Sequence, residues 1–416
     1  MQTRLADWIR DTPEGVEADA ILRKCVHCGF CLATCPTYNL LGDELDSPRG
    51  RIYLMKQMLE GAPVTERTQL HLDRCLTCRA CETTCPSGVE YGRLVDIGRA
   101  IVEKKVPRGP VDRMRRWFLS RVLPSRRLFG TALGIGRALR FLLPVRLAAK
   151  IAPSRPSGAW PAVRHARRML VLAGCVQPSM APSINAATAR VLDRLGISLV
   201  EADAAGCCGA VTHHLNYQAQ ALGYVKANID AWWPHVEAGA EAIVVTASGC
   251  ATMVRDYGHL LRDDPAYAAR AARITELARD VSEVIAAERE GLARLAPGRA
   301  GRAVAFHAPC SLQHGLKIRG VVEEILTSAG FTLTPVPDAH LCCGSAGAYS
   351  ILEPVISRDL LRDKVRALES GHPELVATAN IGCLAHIQSG TARPVRHWIE
   401  LLDEPGTDSF SAGRES

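Results

Sequence analysis

The sequence predicts an α+β protein of several domains: a helical N-terminal segment, a basic helical connector, and a duplicated α/β half. Three observations carry this. Two runs, CVHCGFCLATCP (25–36) and CLTCRACETTCP (75–86), each place four thiols within eleven residues. No Asp or Glu occurs from Arg113 to Leu192, where Arg is frequent. Beyond residue 166 one cysteine pattern occurs twice at a nearly constant offset. A chain of 416 residues that is 47% hydrophobic has room for about three cores at roughly 150 residues each.

Residues 1–104 read as helices that deliver cysteines. VEADAILRKC has helical spacing of Ile21, Leu22 and Cys25. SPRGRIYLMKQMLEG reads as a helix capped by Ser47, with Pro48 at its first position and Gly61 at its end. TQLHLDRC leads into the second run, and GVEYGRLVDIGRAIVEKK is a further amphipathic helix. The spacing C-x2-C-x2-C-x3-C-P is a ferredoxin signature, in which three thiolates wrap one face of a cubane and the fourth ligates the other cluster. One [4Fe–4S] cluster is therefore expected on Cys25, Cys28, Cys31 and Cys85, and a second on Cys75, Cys78, Cys81 and Cys35. Pro36 and Pro86 are expected to end the two loops. Paired C-x2-C units also make zinc sites, but four cysteines followed by Pro, present twice, fit zinc poorly.

Residues 105–165 form the connector. DRMRRWFLSRVL and GTALGIGRALRFLLPVRLAAKI are basic and apolar together, broken by Pro124 and Pro144, before the linker APSRPSGAWP. Residues 113–150 hold ten Arg or Lys, interleaved with Trp117, Phe118, Val122, Leu128, Phe129, Leu139, Phe141 and Leu142. Such a segment suits peripheral contact with an anionic membrane surface, or docking to an acidic partner subunit. Nucleic acid is disfavoured: aromatics are 5% and no nucleic-acid motif accompanies the charge.

The remainder divides into copies at 166–295 and 296–405, with a tail at 406–416 expected to be disordered. RMLVLAGC ends at Cys175 and RAVAFHAPC at Cys310. Thirty-two residues later come GCCGA (Cys207, Cys208) and LCCGS (Cys342, Cys343). AIVVTASGC ends at Cys250 and ELVATANIGC at Cys383, and the closing helices, expected over DVSEVIAA and VRHWIELL, match in character. The offset is 135 residues for the first three cysteines and 133 for the last. Strands alternating with helices imply a parallel sheet in each copy. Any one buried cysteine can be a small hydrophobe. The same four at a matched offset point to a metal or cluster in each copy, or to a redox or structural thiol role.

Sixteen cysteines without a signal-like apolar run favour a reducing, cytoplasmic compartment over disulfides. No segment reaches the ~18 uninterrupted apolar residues of a spanning helix. The Gly134–Leu139 stretch GIGRAL lacks the third glycine of a dinucleotide fingerprint, and no Walker A run or GxSxG elbow appears. A flavin and a substrate-binding base must come from elsewhere, so no catalytic residue is expected in this chain alone. His213 and His214 have Ala348 and Tyr349 at the matching positions, which favours a packing or surface role.

The paired cysteine runs followed by two CCG repeats resemble the heterodisulfide-reductase-like iron–sulfur family, and within it the glycolate oxidase (glycolate dehydrogenase) iron–sulfur subunits. CCGAVTHHLNYQAQALGYVKANIDAWWP, TASGC, HAPCSLQHGLK, DAHLCCGSAGAYS and ATANIGC carry the likeness. The resemblance implies an electron-transfer subunit of a flavin-dependent complex. An FAD-containing partner would oxidise glycolate and D-lactate, and electrons would pass toward a respiratory acceptor, quinone, at the cytoplasmic face of the inner membrane in glyoxylate metabolism. Its rivals are the equivalent subunit of an L-lactate or glycerol 3-phosphate dehydrogenase, a thiol enzyme of the heterodisulfide reductase type, and a structural metalloprotein. The family's repeat often ends C-x-x-C; here the ends are CATM and CLAH, so a five-thiolate site is not expected and a four-thiolate site stays open in each copy; His386 is read first as a surface or core histidine and second as an extra ligand.

Overall fold

A computed structural model describes residues 1–142, 156–292 and 301–404. Pro144, the distal part of the basic connector and the tail lie outside the described residues.

The N-terminal helices start where capping chemistry places them. Thr12 Oγ1 accepts from Gly15 N at 3.1 Å and opens Pro13–Lys24. Ser47 Oγ accepts from Gly50 N at 2.9 Å and opens Pro48–Leu59. In both, proline takes the first position, where its missing N–H is not needed. Helices Glu66–Asp73 and Tyr91–Lys105 complete the set. Their apolar faces meet in one core of Ile21, Leu22, Ile52, Met55, Leu72, Leu94 and Val102, joined by Cys25, Cys75 and Cys81. Burying each large side chain contributes ~1.5–3 kcal/mol, so the cysteine loops hang from a rigid frame. Pro36 opens the helix Pro36–Leu41 rather than only closing a loop.

The connector forms helices Pro110–Val122 and Arg126–Ala138, parted at Pro124. Several of its cations are used within the chain. Arg116 meets Asp73 at 3.3 Å and Asp112 at 3.0 Å. Arg126 meets Glu201 at 3.0 Å and donates to Gly174 O at 2.8 Å. Arg115 donates to Ile351 O at 2.6 Å and Arg137 to Ser179 O at 3.1 Å. Neighbouring elements thus supply much of the negative charge and the acceptors that the connector lacks. Val111, Met114, Trp117, Phe118, Leu128 and Phe141 remain exposed.

Each repeat copy builds a four-stranded parallel sheet. The first is ordered β2–β1–β3–β4, from β1 (Arg167–Val171), β2 (Ile197–Glu201), β3 (Ile243–Val245) and β4 (Ala278–Asp280). The second repeats it as β6–β5–β7–β8, from β5 (Ala303–His307), β6 (Thr332–Leu333), β7 (Leu375–Thr378) and β8 (Val395–His397). β1 registers Arg167 against Ile197 and Leu170 against Ile243; β5 registers Ala303 against Thr332 and Val304 against Leu375. Helix Ala268–Leu277 ends where Ala278–Asp280 pairs with β3 and buries alternate side chains, and the helix expected over VRHWIELL begins only at Trp398, because Val395–His397 pairs with β7. The sheets share one continuous core. They are pinned by Ser248 N donating to Ala379 O at 3.2 Å and by His397 Nε2 to Thr246 O at 2.8 Å.

Candidate metal centres

The two N-terminal cysteine loops share an unusual backbone. His27 (φ 58°) and Gly29 (φ 86°) in the first correspond to Thr77 (φ 54°) and Arg79 (φ 60°) in the second. A β-branched residue at positive φ is a strained outlier, and such strain persists where surrounding structure enforces it. Here Arg99 enforces it, donating to Cys75 O at 2.6 Å and to Thr77 Oγ1 at 2.9 Å. The turn aims Thr77 N at Cys75 Sγ (3.4 Å), and Tyr91 OH lies 3.6 Å from the same sulfur.

The loops exchange their last cysteines. One cavity is lined by Cys25, Cys28 and Cys31 of the first loop and by Cys81 and Cys85 of the second. The neighbouring cavity is lined by Cys75, Cys78 and Cys81 together with Cys35. Cys28 is exposed at the first cavity, beside exposed Val26 and Phe30. Burial, then the neighbouring Cys25, pushes the Cys31 thiol up to about 11, and burial raises Cys78 and Cys81 well above the ordinary thiol value. Without a cation these thiols stay protonated; a soft metal displaces the protons.

Charge compensation is built beside the second cavity. Arg51, 1% exposed, lines it. Its guanidinium donates to His71 O at 2.6 Å, to Thr37 Oγ1 at 3.1 Å and to Asp46 at 3.2 Å. A buried cation facing a thiolate set offsets negative charge that low-dielectric surroundings otherwise penalise. The donor set, the cradle of N–H groups and the buried guanidinium all fit a thiolate-bound iron–sulfur group.

In each repeat copy the four cysteines gather at the carboxyl ends of three adjacent strands. Cys175, Cys207–Cys208 and Cys250 follow β1, β2 and β3; Cys310, Cys342–Cys343 and Cys383 follow β5, β6 and β7. This is where open parallel sheets bind ligands. Cys310 Sγ donates to Cys342 Sγ across 3.8 Å, and interactions run on from Cys342 to Cys343 and from Cys343 to Cys383. In the first copy the same chain runs Cys175–Cys207–Cys208–Cys250. The glycine after each pair is a steric requirement. Gly209 (φ 91°) and Gly344 (φ 88°) point their N–H at Cys207 Sγ and Cys342 Sγ, 3.4 Å away in each case.

The histidines singled out by the sequence lie away from the repeat cysteines. His386 Nε2 lies 3.2 Å from Ser357 Oγ and is not among the groups whose ligating atoms converge. His213 pairs with Asp96 at 3.4 Å, joining helix Tyr91–Lys105 to the first copy. The histidine that does approach a cysteine set is His307, at the end of β5. One of its ring nitrogens and the sulfurs of Cys343 and Cys383 lie within 4.8 Å of one another. Burial, then Lys364, holds it well below the ordinary histidine value, hence neutral. Its signal in the sequence was the HAPC context, where the first copy reads LAGC.

The second cavity abuts the second repeat copy. Leu76, Cys78 and Leu40 pack with Cys310, Cys342, Tyr349, Ile356 and Leu360 in one apolar cluster. Tyr349 OH donates to Arg74 O at 2.9 Å, and Thr83 Oγ1 lies 2.9 Å from His314 Nδ1. His314 Nε2 faces His340 O at 2.9 Å, so the proton sits there and Nδ1 accepts from Thr83.

The sequence pattern described as a 4Fe-4S dicluster domain matches residues 21–89, and that described as a cysteine-rich domain matches 169–255 and 304–388. The chain accordingly carries two [4Fe–4S] clusters in its N-terminal part. It is 55% identical over 405 residues to the glycolate oxidase iron-sulfur subunit of Escherichia coli (strain K12), covering 97% of this chain and 99% of that protein. It is 31% identical over 407 residues to the probable glycolate oxidase iron-sulfur subunit of Bacillus subtilis (strain 168), covering 89% of each. Lactate utilization protein A of Exiguobacterium sp. (strain ATCC BAA-1283 / AT1b) is 28% identical over 243 residues, 55% of this chain and 94% of its own length. With the paired cysteine loops, the duplicated CCG sheets and likeness along its whole length, this chain belongs to the glycolate oxidase iron–sulfur subunit family, as an electron-transfer component of an oxidoreductase.

Proposed function

We propose that the chain relays electrons from an FAD-containing partner that oxidises glycolate and D-lactate toward a respiratory acceptor, quinone. One cluster is held by Cys25, Cys28, Cys31 and Cys85, the other by Cys75, Cys78, Cys81 and Cys35. Cys175, Cys207, Cys208 and Cys250, and likewise Cys310, Cys342, Cys343 and Cys383, each hold a further metal or cluster. Such groups supply one-electron chemistry; the chain's part is to space, desolvate and charge-compensate them. Domain limits at 104, 165, 295 and 405 accompany this reading.

The observation that carries it is the continuity of sulfur. Thiols run from the exposed Cys28 through the exchanged loops to Cys78, and from Cys78 across an apolar contact to Cys310 and Cys342. A soluble store of metal needs no such sequence of adjoining sites; a relay does.

The connector supports peripheral attachment at the cytoplasmic side of the inner membrane. No helix among the described residues is long and apolar enough to cross a membrane. Helix Arg126–Ala138 buries none of its residues within the chain, and Trp117, Phe118, Leu128 and Phe141 are exposed beside cations.

The test is to co-purify the chain with its flavoprotein and assay glycolate, D-lactate, L-lactate and glycerol 3-phosphate with an artificial acceptor. Turnover with glycolate that loses its route to quinone when this chain is omitted is expected. Turnover with L-lactate alone replaces the substrate. Thiol-dependent turnover by this chain without flavoprotein overturns the relay.

A further inference from the structure

The two repeat copies match in topology and in every cysteine, yet one buried position beside the cysteines changes from an apolar side chain to an imidazole. β1 ends two residues before Ala173 with Val171 followed by Leu172; β5 ends on Phe306 and His307. The offset of 135 that relates Cys175 to Cys310 relates Leu172 to His307. Leu172 is an ordinary member of the core. His307 is 1% exposed, and neither Nδ1 nor Nε2 has a hydrogen-bond partner among the described residues.

An imidazole placed in this way is costly. Each buried polar atom left unpaired costs ~1–3 kcal/mol, and the first copy shows that the same sheet accepts leucine there. The surrounding strand offers no relief: Thr378 Oγ1 uses His307 O at 3.1 Å, and Lys364 Nζ is turned to Asp338 O at 2.8 Å. What the ring does reach is sulfur, since a ring nitrogen converges with the Sγ atoms of Cys343 and Cys383 within 4.8 Å. A neutral imidazole nitrogen and thiolates are the donors that zinc and iron take together.

Building on the proposal that the repeats hold metal, we infer that His307 is a nitrogen ligand of the second-copy centre, which is therefore a mixed imidazole–thiolate site for iron or zinc, while the first copy is thiolate-only. The asymmetry falls on the copy that abuts the ferredoxin-type loops, because Cys310 and Cys342, not Cys175 and Cys207, share the apolar cluster with Cys78. Replacing thiolate by imidazole removes negative charge from a centre and raises its potential. Were the second-copy metal iron, it would thus be the more oxidising of the two copies. Were it zinc, the site would be a redox-silent brace at the same contact.

The experiment measures iron, zinc and acid-labile sulfide in the anaerobically prepared full chain. It then compares wild type with His307→Leu, which copies the first repeat, and with His307→Cys. Nitrogen coordination is read by pulsed electron paramagnetic resonance on protein with 15N-labelled histidine if the metal is paramagnetic iron, or by zinc-edge absorption if it is zinc. A histidine nitrogen in the metal shell is expected in wild type and not in His307→Cys. His307→Leu is expected to lose this metal to a chelator at least tenfold more readily, since removing even an outer partner of a ligand costs that much. His307→Cys should retain it, and if it is iron its potential should fall. The metal-free His307→Leu chain should melt no lower than wild type, which a merely structural histidine would not allow. An all-sulfur shell with metal retention unchanged in His307→Leu overturns the inference while leaving metal in the repeats. No metal beyond the eight irons of the two clusters overturns the reading on which it rests.

Discussion

Cys78 of the second ferredoxin-type loop and Cys310 of the second repeat pack into the same apolar cluster, with Leu76, Cys342 and Tyr349 around them. Two cysteine sets that lie far apart in sequence thus become neighbours, and Tyr349 and His314 fasten the contact through bonds of 2.9 Å to Arg74 O and Thr83. The first copy makes no comparable apolar contact with a ferredoxin-type cysteine among the described residues; it meets the helical domain through Asp96 and His213 instead.

Arg51 should set the potential of the neighbouring cluster. Arg51→Met removes a buried cation beside Cys35 and Cys75 and one of the two guanidinium partners of Asp46, leaving Arg74 and His71 on it. Breaking a buried pair costs ~3–5 kcal/mol, so Arg51→Lys is the companion that keeps the charge. Arg51→Met is expected to lower one cluster potential by on the order of 60 mV, a tenfold change for a one-electron couple, with Arg51→Lys near wild type. A spectroscopically monitored redox titration reads both clusters.

The glycine of each CCG triplet should tolerate no side chain, and unequally. A Cβ at Gly344 would lie 2.6 Å from Ser357 O, whereas at Gly209 the nearest atom is Ala221 O at 3.1 Å. Both also lose left-handed freedom, worth ~1–2 kcal/mol. Gly344→Ala is expected to lower the melting temperature more than Gly209→Ala, overpacking adding ~1–3 kcal/mol. Calorimetry on both variants checks the order.

His397 should make the repeats acid-sensitive. It caps helix Trp398–Asp403, Nδ1 accepting from Ile399 N while Nε2 donates to Thr246 O. Burial lowers its pKa to about 4. The neutral ring is the one the fold needs, so the unfolded chain binds the extra proton between pH ~6.5 and about 4. Stability is full above that window and lost as pH falls through it, by about 3 kcal/mol in all. Melting temperatures of wild type and His397→Asn between pH 7 and 5 should converge as wild type declines.

Exposed connector cations should hold the protein on anionic lipid. Arg113, Arg121 and Arg127 are exposed, whereas Arg116 and Arg126 serve internal ion pairs. Changing the first three to Glu is expected to release the complex from phosphatidylserine-containing vesicles at low salt without altering its fold. Unchanged flotation would leave docking to an acidic subunit as their role.

The cysteine sites were legible because ligand spacing is written in the chain itself: x2, x2 and x3 are short-range geometry. The helix start at Ser47 was legible for the same reason, since a cap acts over three residues. Strands Ala278–Asp280 and Val395–His397 were not. Three residues with two side chains buried carry too little periodicity, and their pairing partners lie more than fifteen residues away. Arg51 and His307 escaped for a related reason. Their meaning comes from Asp46 and His71 in one case, and from Cys343 and Cys383 in the other, brought together only by folding. His386, read first as a surface or core histidine and only second as a ligand, turns to Ser357.

The exchange of Cys35 and Cys85 between the two loops is the arrangement on which the relay rests. Dithionite-reduced, anaerobically reconstituted Cys85→Ser, Cys28→Ser, Cys35→Ser and Cys78→Ser proteins should be compared by electron paramagnetic resonance. The account predicts that Cys85→Ser perturbs the same cluster as Cys28→Ser, and Cys35→Ser the same cluster as Cys78→Ser. If Cys85→Ser instead matches Cys78→Ser, each loop holds its own cluster and the account is contradicted.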